Sequence, residues 1–149
     1  MQHYKDTKIG VIIPCYKVVS HILRVIEGIG DLVKKIYVVD DLCPDQSGKY
    51  VIANCKDPRV EVLFCAKNLG VGGAVKTGYK KALQDKIEIL IKIDGDGQMD
   101  PALIINLIQP ILKYKADYTK GNRFFDLRYL QKMPTLRLVG NSGLSFISK

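Results

Sequence analysis

The chain has 149 residues, a formal net charge of +8, 47% hydrophobic residues and 26% charged residues. This length suits a single domain, and the composition is that of an ordinary soluble globular protein. No apolar run approaches the roughly 20 residues of a membrane-spanning helix, and the first residues lack the apolar core of a signal peptide. We therefore expect a cytosolic chain.

The spacing of the cysteines disfavours both a zinc-binding protein and a disulfide-rich one. All four are widely spaced, no CxxC pair occurs, and the two histidines lie far from most of them, which disfavours a zinc site and a disulfide framework. We expect reduced cysteines in strands and loops at Cys15, Cys43, Cys55 and Cys65.

The positive charge is concentrated near the C-terminus. From Lys113 onward the chain has eight basic residues and two acidic ones. Such an excess suits a phosphate-bearing ligand or an anionic membrane surface, and a solvated basic face is the alternative. Aromatic residues are not interleaved with the basic ones in a stacking pattern, so we expect no nucleic-acid partner.

Apolar runs of strand length alternate with helical patterns along the chain. The first strand should stop at Pro14, and Asp100 with Pro101 gives the clearest helix start. In chain order we predict strand 8–13, a helix capped by Ser20 and ending near Gly30, strand 35–39, a short helix ending near Cys55, strand 60–64, helix 74–83, strand 88–93, helix 101–115, strand 116–120 and helix 135–148.

This alternation predicts an α/β fold, with a mostly parallel Rossmann-like sheet that has helices on both faces. Ligands of such sheets bind beyond the carboxyl ends of the strands. The active site is therefore expected in the segments that follow Ile13, Val39, Phe64 and Ile93.

The strongest motif, Asp94-Gly95-Asp96-Gly97-Gln98, follows the fourth predicted strand. Two carboxylates separated by one small residue can converge on Mg²⁺, with substrate phosphates and water completing its shell. The glycines allow a bulky diphosphate to approach the backbone. An EF-hand loop is excluded because Met99 and Ile105 occupy its required glycine and glutamate positions, whereas a plain polar turn stays open.

Two other segments have chemistry suited to a nucleotide. Asp40 and Asp41, with Asp45 and Ser47, follow the second strand, where an acidic side chain can accept a hydrogen bond from a ribose hydroxyl or from a uracil or guanine N–H. Asp45 and Ser47 also fit simple turn chemistry. The glycine-rich segment 68–73 precedes a helix and offers amides to phosphate, although it matches neither the dinucleotide fingerprint nor the Walker loop.

Taken together and in order, these motifs resemble family 2 glycosyltransferases of GT-A fold, and among them most closely the polyprenyl-phosphate sugar transferases such as the dolichyl-phosphate mannose synthases. The resemblance covers roughly residues 8–149. It is carried by Val-Ile-Ile-Pro-Cys-Tyr at 11–16, Val-Val-Asp-Asp at 38–41 with Asp45, Asn-Leu-Gly-Val-Gly-Gly-Ala at 68–74, Asp-Gly-Asp-Gly-Gln at 94–98 and Gly-Asn-Arg at 121–123.

The resemblance implies a role for each matching residue. Pro14 and Tyr16 would shape the nucleotide-base pocket, and Asp41 would contact the base. Asp94 would bind ribose and help to hold the metal, beside Gly95.

The remaining implied roles concern the metal and the phosphates. Asp96 and Gln98 would ligate a Mg²⁺ or Mn²⁺ ion that bridges the diphosphate. Arg123 would face the donor or acceptor phosphates. Lys76, after the glycine segment, is a weaker candidate because a solvated helix lysine explains it equally well.

The chain departs from the family pattern at two points. Lys17 and Val18 stand where the family usually has Asn-Glu after Pro-x-Tyr, which affects base or ribose recognition. We also expect residues 1–149 to be one GT-A fragment with the donor-binding part, because acceptor contacts and any catalytic base lie beyond Lys149 in this family.

The resemblance implies an inverting, metal-dependent transfer of sugar from a UDP- or GDP-sugar to a polyprenyl phosphate or a saccharide, in cell-wall or polysaccharide biosynthesis. A phosphate acceptor is already ionised and needs no strong base. A nucleotide-sugar-binding remnant without turnover stays open, and a sugar nucleotidyltransferase is disfavoured because no glycine-rich loop with a basic residue follows the first strand. Peripheral association with the inner face of a membrane and a homodimer also stay open.

Overall fold

Four parallel strands form the centre of the computed structural model, which describes residues 6–121. The strands lie side by side in the order β3-β2-β1-β4. Along the chain the elements are β1 (Ile9–Cys15), α1 (Ile22–Glu27), β2 (Lys35–Asp40), α2 (Ser47–Asn54), β3 (Val60–Phe64), α3 (Gly70–Gln84), β4 (Ile89–Lys92), a 3₁₀ turn (Pro101–Leu103) and α4 (Ile104–Leu112).

Helices cover both faces of the sheet, as the strand–helix alternation predicts. Because side chains alternate along a strand, β1 supplies Ile13 to one face and Ile12 to the other. The first face packs against α1, α2 and α4, and the second packs against α3. Since both faces are buried, β1 consists almost entirely of apolar residues, and the interior of β2 is Ile-Tyr-Val-Val.

The first strand continues through Pro14, so the prediction that it stops there is wrong. Pro14 pairs in register with Val39 on β2. The carbonyl of Ile12 accepts from the amide of Ile93, so the backbone of Pro14, two residues later, faces the same side. That side lies beyond the end of β4 at Lys92. The missing N–H of proline therefore costs no ladder hydrogen bond.

The end of α4 also differs from the prediction. The helix ends at Leu112 rather than near 115, because Tyr114 adopts a left-handed conformation with φ of 53°. The amide of Lys115 donates to the carbonyl of Pro110, and that of Tyr114 donates to Ile111. These two bonds form a Schellman motif, which stops the helix. The predicted start is confirmed, since the Asp100 side chain accepts from the amide of Ala102 at 2.9 Å.

The predicted strand 116–120 is absent from the described chain. In its place the segment folds back on α4, where the Thr119 hydroxyl donates to the carbonyl of Leu107 at 2.7 Å. Tyr118 is 77% exposed, so the segment as folded buries little apolar surface. The predicted helix 135–148 lies outside the described residues.

The start of α1 and the state of the cysteines can also be compared with the predictions. α1 begins at Ile22 with His21 as its N-cap, without a side-chain cap from Ser20. All four cysteines are free, as expected. None of the helices in residues 6–121 combines the length and the apolar character needed to cross a membrane.

Close packing of α3 on β1 predicts opposite effects for two glycine substitutions. A Cβ at Gly78 would lie 2.8 Å from Ile12 Cγ2 and 2.9 Å from its Cδ1, whereas a Cβ at Gly72 would meet no atom within 4 Å. Ile12 is itself fully buried. We therefore expect Gly78→Ala to lower the free energy of unfolding by about 1–3 kcal/mol.

Gly72→Ala is the matched control on the same helix. We expect it to be neutral or to raise stability by up to about 1 kcal/mol, through the higher helix propensity of alanine. Urea denaturation of both variants measures the difference. Equal stability of the two variants would contradict the close packing.

Candidate functional site

A cleft of about 410 Å³ opens at the carboxyl ends of β1, β2 and β4. This is the edge at which parallel α/β sheets bind their ligands. Six of the predicted site residues line the cleft, and they come from three separate segments of the chain. They are Pro14, Tyr16, Asp41, Asp94, Gly95 and Asp96.

Three predicted residues do not line the cleft of the described chain. Lys76 is exposed on α3, and Gln98 is exposed in the loop after β4. The amide of Gln98 donates to Asp96 Oδ1 at 3.0 Å, so this residue contacts Asp96 through its backbone. Arg123 lies outside the described residues.

The end of β2 holds two buried carboxylates with different partners. Asp40 Oδ1 accepts from the amide of Cys43 at 2.7 Å, and Asp40 Oδ2 accepts from the amide of Gly48 at 2.6 Å. Asp41 Oδ1 accepts from the amide of Leu69 at 2.7 Å. Both aspartates are only 3% exposed. Asp40 therefore fixes the start of α2, while Asp41 both lines the cleft and fixes the segment that leads into α3.

Residues 70–73 of the glycine-rich segment form the first turn of α3, so the prediction of a loop over 68–73 with a helix from Ala74 is wrong there. The helix begins at Gly70, whose φ of +71° favours glycine. The Asn68 side chain accepts from the amide of Gly70 at 3.2 Å and donates to the carbonyl of Asp41 at 3.2 Å. Side chains of Asp41 and Asn68 thus bind the amides of Leu69 and Gly70. The sequence indicated a glycine segment here but not these contacts with its neighbours in space.

The carboxylate motif follows β4 and rests on the core. Gly95 is buried, and a Cβ there would lie 3.2 Å from Val18 and 3.3 Å from both Ile13 and Ile22. Glycine therefore lets the loop lie close to the sheet. Asp94 is half-buried and Asp96 is exposed. The two carboxylates belong to one loop and line one cleft.

A lysine that sequence reasoning did not assign to the site contacts this motif. Lys92, the last residue of β4, forms an ion pair with Asp94 through Nζ and Oδ1. One available signal was its position, because a charge inside the otherwise apolar run 89–93 requires a partner.

The wall of the cleft near β1 is apolar where the family pattern has glutamate. Val18 is 8% exposed, lines the cleft, and donates its amide to Ser47 Oγ at 3.3 Å. Burial and the nearby Asp40 carboxylate raise the pKa of the Cys15 thiol, which lies beside it in the lining. Cys15 is therefore a protonated wall residue at neutral pH rather than a nucleophile.

Another cavity, of about 560 Å³, lies at the amino ends of the strands. Four of its charged lining residues form ion pairs with one another: Lys81 contacts Glu61 at 3.2 Å and Asp85 at 2.8 Å, and Lys35 contacts Glu61 at 2.9 Å. These ion pairs lower the pKa of Glu61 against the opposing effect of burial. Although larger, this cavity contains none of the predicted site residues.

Comparison with known proteins identifies the family. The model of glycosyl transferase family 2 matches residues 10–138. The UDP-N-acetylglucosamine–dolichyl-phosphate N-acetylglucosaminyltransferase of Methanococcus voltae is 32% identical over an alignment of 157 positions, gaps included, that covers 96% of this chain and 62% of that relative. The undecaprenyl-phosphate mannosyltransferase of Micrococcus luteus is 28% identical over 133 residues, which cover 87% and 54%. The chain thus spans little more than half of each relative.

A solved structure supports the fold. Residues 1–349 of S. aureus TarS in complex with UDP align with a TM-score of 0.59 and 22% identity, over 74% of this chain and 34% of that chain. The expected α/β fold of GT-A type is confirmed. Since the family model matches most of the sequence, the chain belongs to glycosyl transferase family 2.

Proposed function

We propose that this chain binds a nucleotide sugar for inverting transfer to a polyprenyl phosphate. The observation that carries this proposal is the meeting of Asp41, Asp94 and Asp96 in one cleft at the carboxyl edge of the sheet. Relatives named as dolichyl-phosphate and undecaprenyl-phosphate transferases favour a lipid phosphate over a saccharide acceptor. Membrane association and a homodimer stay predictions.

The nucleotide base would lie against Tyr16 and Asp41. Tyr16 is 46% exposed and offers an aromatic surface at the cleft. The backbone amide of Leu69 already donates a hydrogen bond to Asp41 Oδ1. The other carboxylate oxygen would accept an N–H of uracil or guanine. Because one oxygen is held by the backbone, the acceptor is fixed before the base arrives.

The diphosphate would lie between α3 and the carboxylate motif. A helix N-terminus has four amides without intrahelical partners. In α3, Leu69 and Gly70 donate theirs to side chains, which leaves those of Val71 and Gly72. Both Gly70 and Val71 line the cleft. The positive end of the helix would therefore face the phosphates.

The donor set around Asp94 and Asp96 fits a hard divalent cation such as Mg²⁺ or Mn²⁺. Its protein ligands are carboxylate oxygens, which Mg²⁺ prefers, and the Lys92 ammonium already contacts one of them. Within residues 6–121 no group of three or more His, Cys, Asp or Glu side chains could hold a metal. Phosphate oxygens and water would have to complete the shell. The bound ion would stabilise the charge of the departing nucleoside diphosphate.

The rest of the chemistry requires orientation rather than a strong base. A phosphate monoester acceptor is largely ionised at neutral pH, because its second pKa is about 6. It would attack the anomeric carbon directly and invert it. The protonated Cys15 thiol does not compete as a nucleophile. The basic residues from Lys113 onward, including Arg123, would attract the acceptor phosphate.

Loss of Asp96 tests the metal-dependent binding. We expect Asp96→Ala to lower affinity for UDP-N-acetylglucosamine or GDP-mannose in Mn²⁺ at least tenfold, about 1.4 kcal/mol, because the leaving-group diphosphate loses its cation. Titration calorimetry measures this affinity. Asp31→Ala is the control, because Asp31 is exposed in the turn before β2, at the opposite edge of the sheet. Equal affinity with and without EDTA would contradict the proposal.

A change at Asp41 tests base recognition. In Asp41→Asn the amide oxygen can still accept from Leu69, while the amide N–H₂ would oppose the N3–H of uracil and suit the N3 acceptor of cytosine. We expect the ratio of UDP to CDP affinity to fall about tenfold or more, since hydrogen bonds to charged groups contribute roughly 1.5–3 kcal/mol.

The melting temperature shows whether a change in the ratio of UDP to CDP affinity arises from base recognition or from loss of the fold. Asp41→Asn should melt within a few degrees of the parent chain, whereas Asp41→Ala should melt lower because the Leu69 amide loses its acceptor. An unchanged ratio of UDP to CDP affinity in the folded Asn variant would place the base elsewhere.

A further inference from the structure

The ion pair between Lys92 and Asp94 differs from the other ion pairs of residues 6–121. It is the one that includes a residue of the cleft, whereas the others join Lys35, Lys81 or Arg59 to acids outside it. The Lys92 and Asp94 side chains are 31% and 36% exposed. The ammonium is therefore near enough to solvent to move and near enough to the cleft to affect a ligand.

The strand fixes where Lys92 can reach. Lys92 pairs in register with Ile12 on the central strand, and its neighbours Ile91 and Ile93 are buried on the opposite face. Its stem consequently leaves the sheet on the face of α3, the helix whose N-terminus lines the cleft. From there Nζ contacts Asp94 Oδ1.

An ammonium and a divalent cation compete for the same carboxylate oxygen. If a metal bound Asp94 and Asp96 alone, it would either displace Lys92 or stay a few ångströms from its positive charge, and both cost binding free energy. A nucleoside diphosphate removes this conflict, because its negative charges can pair with the ammonium and the metal together. A single lysine would then make the binding of the metal depend on the presence of the nucleotide.

We infer that Lys92 is a positioning residue that keeps divalent metal off the Asp94–Asp96 pair until a nucleoside diphosphate arrives with it. The inference rests on the proposed function. Metal and nucleotide bind interdependently, and by linkage each raises the affinity for the other by the same factor. Removal of the ammonium uncouples them.

The test compares Mn²⁺ binding with and without UDP and GDP, from the loss of the free Mn²⁺ signal in electron paramagnetic resonance. We expect Lys92→Met to bind Mn²⁺ alone at least fivefold more tightly than the parent chain, and the enhancement by nucleotide to shrink by a similar factor. Lys92→Arg keeps the charge and should behave as the parent. Lys80→Met removes the same charge from an exposed position further along α3 and should also behave as the parent.

Each outcome supports or overturns the inference. Unchanged or weaker binding of Mn²⁺ by Lys92→Met overturns it, as does tighter binding by Lys80→Met to the same extent. Circular dichroism establishes that each variant is folded, and Lys92→Gln replaces Lys92→Met if the latter is not. If the parent chain binds no Mn²⁺ even with nucleotide, the proposed function fails. Coupled binding in the parent chain that persists unaltered in the variants leaves that function intact and rejects the role of Lys92.

Discussion

Two adjacent buried carboxylates at the end of β2 hold the site together. Successive residues of a strand point to opposite faces, so Asp40 is directed towards α2 and Asp41 towards α3. Each would be costly to bury without partners, and each instead accepts hydrogen bonds from the backbone at the start of its helix. Because a helix N-terminus has unpaired amides and a partial positive charge, the arrangement satisfies carboxylate and helix together. One dipeptide thereby anchors a helix on each face of the sheet.

Much of this arrangement could be predicted from residue order. The apolar runs that form β1 to β4 are short and strand-like, and polar or glycine residues follow each one. In parallel sheets those following segments meet at one edge, so the gathering of Pro14, Asp41 and Asp94 required no knowledge of side-chain contacts. The predicted family and the α/β fold are confirmed for the same reason. The roles of the individual site residues stay predictions.

The contacts of individual side chains and the local backbone conformation were not predictable in this way. The bond from Leu69 to Asp41 spans 28 positions, and the ion pair of Lys92 with Asp94 depends on which face of β4 its side chain leaves. The left-handed conformation of Tyr114, which ends α4, also has no signal in the sequence, since glycine is the usual residue there. Segment 116–120 forms no strand although its position in the alternation suits one, because its side chains bury little. The place of a segment in the strand–helix alternation therefore predicts a strand only where the segment also has an apolar face.

The backbone at Pro14 has a consequence for what can enter the cleft. Where one strand extends beyond its neighbour, its backbone amides and carbonyls are unpaired. Another extended segment can then form hydrogen bonds with them and add a strand to the sheet. Past the end of β4, the side of β1 that borders the cleft presents a proline ring where such a segment would need a donor. A segment that paired there would lack one backbone hydrogen bond. The same residue that pairs in register with Val39 on β2 therefore disfavours the addition of a further strand on the cleft side of β1.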